Sequence, residues 1–97
     1  MDKILEEIRK ERAYQKERWG TEADDQINTP ADWSLYISNY ASKWMDGTFR
    51  PYQRKTLEGF RTSMVKTATL AIAAIESIDR QLDGTVERKD VLKENDQ

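Results

Sequence analysis

The twelve residues from Met64 to Ile75, MVKTATLAIAAI, carry a single charge, Lys66, and more than any other stretch they limit how this chain can fold. Extended back to Leu57 and on to Leu82, apolar side chains fall at Leu57, Phe60, Met64, Ala68, Ala71, Ile75, Ile78 and Leu82. Steps of three or four residues trace one face of a helix. Val65, Leu70, Ile72, Ala73 and Ala74 occupy the other faces, so the middle of this helix is apolar nearly all round. Other helices pack around such an element, and its alanines let their backbones come close. It is too short and too interrupted to cross a bilayer. The predicted fold is all-α: a compact bundle of three principal helices, the long C-terminal one at its centre.

The first helix is predicted over Asp2 to Trp19, with Gly20 placed to stop it. Its apolar stripe starts at Ile4, Leu5 and Ile8, then meets Glu11, Arg12, Gln15 and Lys16 before it recovers at Trp19. Two readings follow: the helix projects into solvent, or a polar cleft or subunit contact faces these residues. Residues 20 to 28 read as a polar acidic connection in which Asp24 and Asp25 are adjacent. Thr29, Pro30 and Asp32 then spell a helix start: a capping threonine, a proline whose missing N–H would be unpaired there anyway, and a reciprocal cap in its Asp form.

The second helix is predicted from Pro30 to Met45 or Asp46, before Gly47. It sets Trp33, Ile37, Tyr40 and Trp44 on one face, with Tyr36 beside them. Trp33 and Trp44 read as packing residues. Tyr36 and Tyr40 need partners for their hydroxyls, and flat rings with polar edges also suit stacking on a base. The segment TFRPYQRK, residues 48 to 55, is the locally basic one, through Arg50, Arg54 and Lys55. It reads either as a solvated loop or as a flap that closes on an anion. The third helix runs from Arg54 to Asp83, with Gly59 as a candidate break, and 84 to 97 reads as a weakly ordered charged tail. Residues 1 to 83 form a single domain.

A chain of 97 residues is near the lower size for a self-sufficient core, so a dimer or larger homo-oligomer is expected. A net charge of -2 gives no overall positive field, which argues against polymeric nucleic acid as the partner. With neither cysteine nor histidine, disulfides, thiolate sites and imidazole chemistry are excluded, and any metal would need oxygen ligands. The N-terminus MDKILEEIRK lacks the apolar core of a signal peptide, so the expected compartment is the cytoplasm.

Three blocks carry a resemblance. ERAYQKERWG (Glu11 to Gly20), the stretch Asn28 to Tyr40, and Met64 to Glu76 resemble, in order and spacing, small phage- and prophage-type proteins related to the MazG-like nucleotide pyrophosphohydrolases. The resemblance implies an all-α bundle that assembles through its long helices. Its implied substrates are nucleoside triphosphates, cut between the α- and β-phosphates with Mg. That chemistry needs E-x-x-E and E-x-x-D carboxylate pairs on facing helices, because Mg ions must be held beside the triphosphate. This chain departs from the pattern. Its second helix holds only Asp32, and the third-helix pair falls on Ser63 and Lys66, where an ammonium would repel Mg but attract phosphate. Glu76 and Asp79 read as surface residues.

The function so implied is metal-independent binding or sequestration of a phosphorylated nucleotide, such as a signal of host defence. Its contacts would come from Lys66, Arg12, Lys16, Arg50, Arg54 and Arg61, with the rings of Trp19, Tyr36 and Tyr40. One alternative is a divergent Mg-dependent pyrophosphohydrolase using Asp24, Asp25 and Asp32; another is a helical adaptor that docks on a protein partner.

Overall fold

The computed structural model describes residues 1–46 and 53–88. Its elements are α1 (Asp2–Trp19), α2 (Glu22–Gln26), α3 (Pro30–Ala41), a 3-10 helix (Ser42–Asp46) and α4 (Arg54–Leu82), and there is no strand among the described residues. No helix is long and apolar enough to cross a membrane.

The local chemistry explains most of these boundaries. Asp2 in the first turn of α1 and Lys16 and Arg18 in its last complement the helix dipole, and Gly20 leaves the helix at φ 72, a conformation that favours glycine. The predicted start of α3 is present in full: Asp32 N donates to Thr29 Oγ1 at 3.2 Å, and Thr29 N donates back to Asp32 Oδ2 at 2.9 Å. Two expectations need correction. The α-helical part of the second helix ends at Ala41 and tightens into the 3-10 turn, and the expected acidic connection contains α2. Five residues are too few to hold a helix by propensity, so the pattern is silent, and α2 owes its shape to ion pairs made elsewhere in the fold.

Gly59 does not break α4, which is continuous from Arg54 to Leu82. A Cβ there would lie 3.2 Å from Trp44 Cη2, so the glycine allows the Trp44 ring to press against the helix. Trp44 also meets Phe60 edge to face, with 5.6 Å between ring centroids. Glu7 pairs with Arg61 and Glu11 with Lys66, so α1 runs alongside α4 in the same direction. Asp25 just before α3 reaches Arg80, while Trp44 just after it reaches Phe60, so α3 runs antiparallel to α4.

The interior is not where the apolar stripe points. The buried residues of α4 are Ser63, Thr69, Ala73 and Ser77, and Thr69 and Ser77 are fully buried. The apolar stripe lies on the outward side, with Leu57 53%, Phe60 42%, Ile75 59% and Leu82 80% exposed and Met64, Ala68, Ala71 and Ile78 half-buried. At about 100° per residue the stripe lies roughly half a turn from Ala73. Small residues let α1 and α3 approach α4, and their hydroxyls are satisfied on the spot: Thr69 donates to the Val65 carbonyl at 2.7 Å and Ser77 to Asp25 Oδ1 at 2.7 Å. Trp33 and Ala73 are the buried hydrophobic residues among those described.

The same inversion occurs on α1. Ile4 and Leu5 are exposed, whereas Arg12 and Gln15 are its buried residues. The projecting-helix reading is thereby set aside, and the polar half of the stripe faces the protein interior.

Candidate functional site

The polar half of α1, the α2 segment, α3 and the middle of α4 enclose a cavity of about 680 Å³. Its lining combines the rings of Trp19, Trp33, Tyr36 and Tyr40 with the amides of Gln15, Asn28 and Asn39, and the ion pair Arg12 and Asp24. Helical spacing brings them together. Arg12, Gln15 and Trp19 share a face of α1, while Trp33, Tyr36 and Tyr40 share one of α3. The Tyr36 hydroxyl donates to Asn28 Oδ1 at 3.2 Å, and its ring stands edge-on to Trp33 at 6.2 Å. Trp33 is 5% exposed, and its indole Nε1 has no hydrogen-bond partner among the described residues.

Arg12 forms the charged wall. Its Nε donates to Glu76 Oε1 at 2.6 Å, and its Nη2 lies 3.6 Å from Asp24 Oδ2, too far for a hydrogen bond. Lys16 Nζ stands 3.8 Å from the other Glu76 oxygen. Glu76 therefore anchors two cations of α1 rather than standing free on the surface, which corrects the sequence reading. Burial pushes the Asp24 carboxyl above its ordinary range despite the pull of the Arg12 guanidinium.

The neighbouring Asp25 behaves in the opposite way. Arg80 grips it with two bonds of 2.8 and 2.7 Å, and together with the Ser77 hydroxyl this holds its carboxyl below the usual range. Further polar bonds hold the same wall. Gln26 Nε2 donates to the Glu87 carbonyl at 2.9 Å, and Arg88 Nη1 donates to the Asn28 carbonyl at 2.9 Å. Residues 87 and 88, at the start of the expected tail, thus strap the α2 segment.

Of the residues assigned to a ligand from sequence, the cavity gathers Arg12, Trp19, Tyr36 and Tyr40. It does not gather the rest. Lys66 donates to Glu11 Oε1 at 3.0 Å, and that carboxylate holds its pKa above the ordinary value. Arg61 is bonded to Glu7, and Arg54 pairs with Glu58 one turn along α4 at 2.7 Å. Lys16 is beside Glu76, outside the lining, and Arg50 lies outside the described residues. The residues that sequence reasoning passed over are Asn28 and Asn39, isolated amides with no pattern to mark them. Gln15 was marked by the polar interruption of the α1 stripe.

Among the described residues no group of three or more acidic side chains is gathered closely enough to hold a metal. Asp32 is bound into its cap and Asp25 into Arg80, while Asp24 and Glu76 face Arg12.

No protein-family model matches the chain, and neither does any curated protein or solved structure.

Proposed function

We propose that this chain binds a nucleotide without a metal, holding the base in the cavity between α1, α3 and α4 and leaving it uncut. The observation that carries this reading is the convergence of four aromatic rings and three amides on one cavity of about 680 Å³. That is the equipment for stacking a flat heterocycle and bonding its polar edge. The cation in the lining, Arg12, is already shared between Glu76 and Asp24, so the cavity suits the base and ribose better than the phosphates. The phosphates belong outside, where the Lys16 and Lys66 side chains are 46% and 36% exposed.

Binding without turnover fits carboxylates beside the cavity, Asp24, Asp25 and Glu76, that each face a cation of the chain, and sequestration of a nucleotide signal is the use we assign to it. The proposal includes assembly of the chain with copies of itself, supported by the apolar side chains that α4 leaves in water. A second reading, catalysis, has one observation in its favour: the raised pKa of Asp24 in a cavity wall is what a general acid requires.

Calorimetry with nucleosides, nucleoside mono- and triphosphates and inorganic pyrophosphate, with Mg and with EDTA, tests the proposal. Nucleosides and nucleotides should bind equally well in EDTA, pyrophosphate should bind feebly, and Tyr40→Ala should weaken nucleoside binding roughly tenfold. Absence of heat with every nucleotide would leave the adaptor reading. Release of pyrophosphate, abolished in Asp24→Asn, would favour the enzyme.

A further inference from the structure

The long walls of the cavity and its short one are held in different ways. α1, α3 and α4 are packed helices that close its floor, where Arg12, Gln15, Trp33 and Ala73 are buried. The short wall, residues 20 to 28, has two apolar side chains, Ala23 and Ile27, and neither is buried. Ile27 lines the cavity and is still 66% exposed. Apolar burial does not anchor this wall.

Polar bonds anchor it instead, and they leave from one side. Arg80 and the Ser77 hydroxyl hold Asp25, and the same hydroxyl lies 3.1 Å from the Asp24 carbonyl. Gln26 bonds the Glu87 carbonyl, and Arg88 bonds the Asn28 carbonyl. Arg12 faces Asp24 at 3.6 Å and adds attraction without a hydrogen bond. A short element with little buried apolar surface, fastened by a few such bonds, opens locally at far lower cost than the whole fold.

Both ends of the segment can pivot. Gly20 stands at φ 72, and nothing lies within 4 Å of where its Cβ would be, so the backbone turns there without collision. At the other end the reciprocal bonds of Thr29 and Asp32 keep the start of α3 formed on their own, with the bond from Tyr36 to Asn28 beside them. The long helices have no such freedom, because parting them uncovers Trp33 and Ala73. A base seated against Arg12 and Trp33 lies below the rim and has to pass a wall that moves.

We infer that the segment from Gly20 to Asn28 is the gate of this cavity, latched by Ser77, Arg80 and Arg88, and that ligand exchange waits on the release of that latch. This rests on the reading of the cavity as the binding site and adds how access to it is controlled. The latch is the same with the cavity filled or empty, so loosening it speeds entry and exit together and leaves the affinity nearly unchanged.

The gate itself is tested without any ligand, by native-state hydrogen exchange on the full chain. The Asp25 amide donates to the Thr21 carbonyl, and the Ile27 and Asn28 amides donate to that of Ala23. These three should exchange well before the amides of α4 around Val65. Ser77→Ala and Arg88→Ala should each speed them roughly tenfold and leave the Val65 region unchanged. Should Ser77→Ala fail to fold, Arg88→Ala alone carries the comparison.

Exchange of ligand is read with ATP in EDTA by stopped-flow tryptophan fluorescence, since Trp19 and Trp33 line the cavity. The association rate of the wild type should level off as ATP rises. In the full chain carrying Ser77→Ala and Arg88→Ala together, association and dissociation should both quicken roughly tenfold or more, with Kd kept within about threefold. Loss of a residue that merely touches the ligand would act on dissociation and Kd instead. Amides of 25 to 28 as protected as those of α4 would overturn the gate, and so would rates linear in ATP and unmoved in the double variant; either leaves nucleotide binding standing. If ATP does not bind at all, the proposed function falls and the hydrogen exchange alone decides the gate.

Discussion

The two faces of α4 divide labour against the usual rule. The inward face is built of Ser63, Thr69, Ala73 and Ser77, and the outward face of Leu57, Phe60, Ile75 and Leu82. Burying small hydroxyl residues costs little when each finds an acceptor, as Thr69 does on Val65 and Ser77 on Asp25. In return, the helices come close enough for Trp33 to be buried and for charged groups of three helices to meet around Arg12. Leaving large aliphatic groups in water has no such local compensation. An apolar stripe therefore reports that a surface will be covered, and not that the chain's own interior covers it.

The largest test of this contrast is on the inward side. Trp33→Ala removes the one large buried apolar side chain among the described residues and should cost about 3–5 kcal/mol in urea denaturation. A much smaller loss would mean that the inward face is not the core of the chain.

Next comes the polar clamp. Asp25→Asn leaves Arg80 with a neutral acceptor and should cost about 2–3 kcal/mol. Because the folded pKa of Asp25 is depressed, its contribution is present above the unfolded carboxylate pKa of about 3.9 and is lost as pH falls through the folded value. Thermal scans from pH 6 to pH 2 should show the wild type losing stability below about pH 4, with a shallower loss in Asp25→Asn. Asp24 acts in the reverse sense, since its raised pKa gives a contribution present at low pH and lost as pH rises, so Asp24→Asn should gain relative stability near neutrality.

Lys66→Ala should be milder, at most about 1 kcal/mol in the same denaturation assay, because its pair with Glu11 is partly solvated. It sharpens the ligand reading as well: a clear loss of triphosphate affinity with nucleoside affinity kept would place the phosphates on its side of Tyr40. Smallest of all, Leu82→Ser at dilutions where the chain is monomeric should change stability by no more than about 0.5 kcal/mol. A larger loss would show that the outward face is already covered within one chain.

Much of the secondary structure was legible because its signals are local. The Thr29 to Asp32 cap and the extents of α1 and α4 are decided by neighbours in sequence, and the pattern reads them to within a residue. What it missed is decided at a distance. Gly59 looked like a break because its reason, the Trp44 ring, comes from another element. The direction in which the α4 stripe faces was not legible, because periodicity gives a face but not its direction.

The site was half legible. The polar gap in the α1 stripe pointed to Arg12 and Gln15, and the aromatic spacing of α3 pointed to Tyr36 and Tyr40. Lys66 drew attention as the lone charge of an apolar run, yet its partner Glu11 is 55 residues away. No spacing within the run could reveal that.

The strap on the α2 segment has a consequence in time. The hydrogen bonds that fasten this wall to α4 and to the segment after it join residues 52 to 61 positions apart. Contacts of such long range are made late, because the intervening chain must first be brought together. A polypeptide emerging from its N-terminus has Trp19 and Tyr36 long before it has Arg80 and Arg88. The cavity is therefore a late product of synthesis, and a nascent chain halted between Ala73 and Ser77 holds every lining residue without the bonds that close its wall.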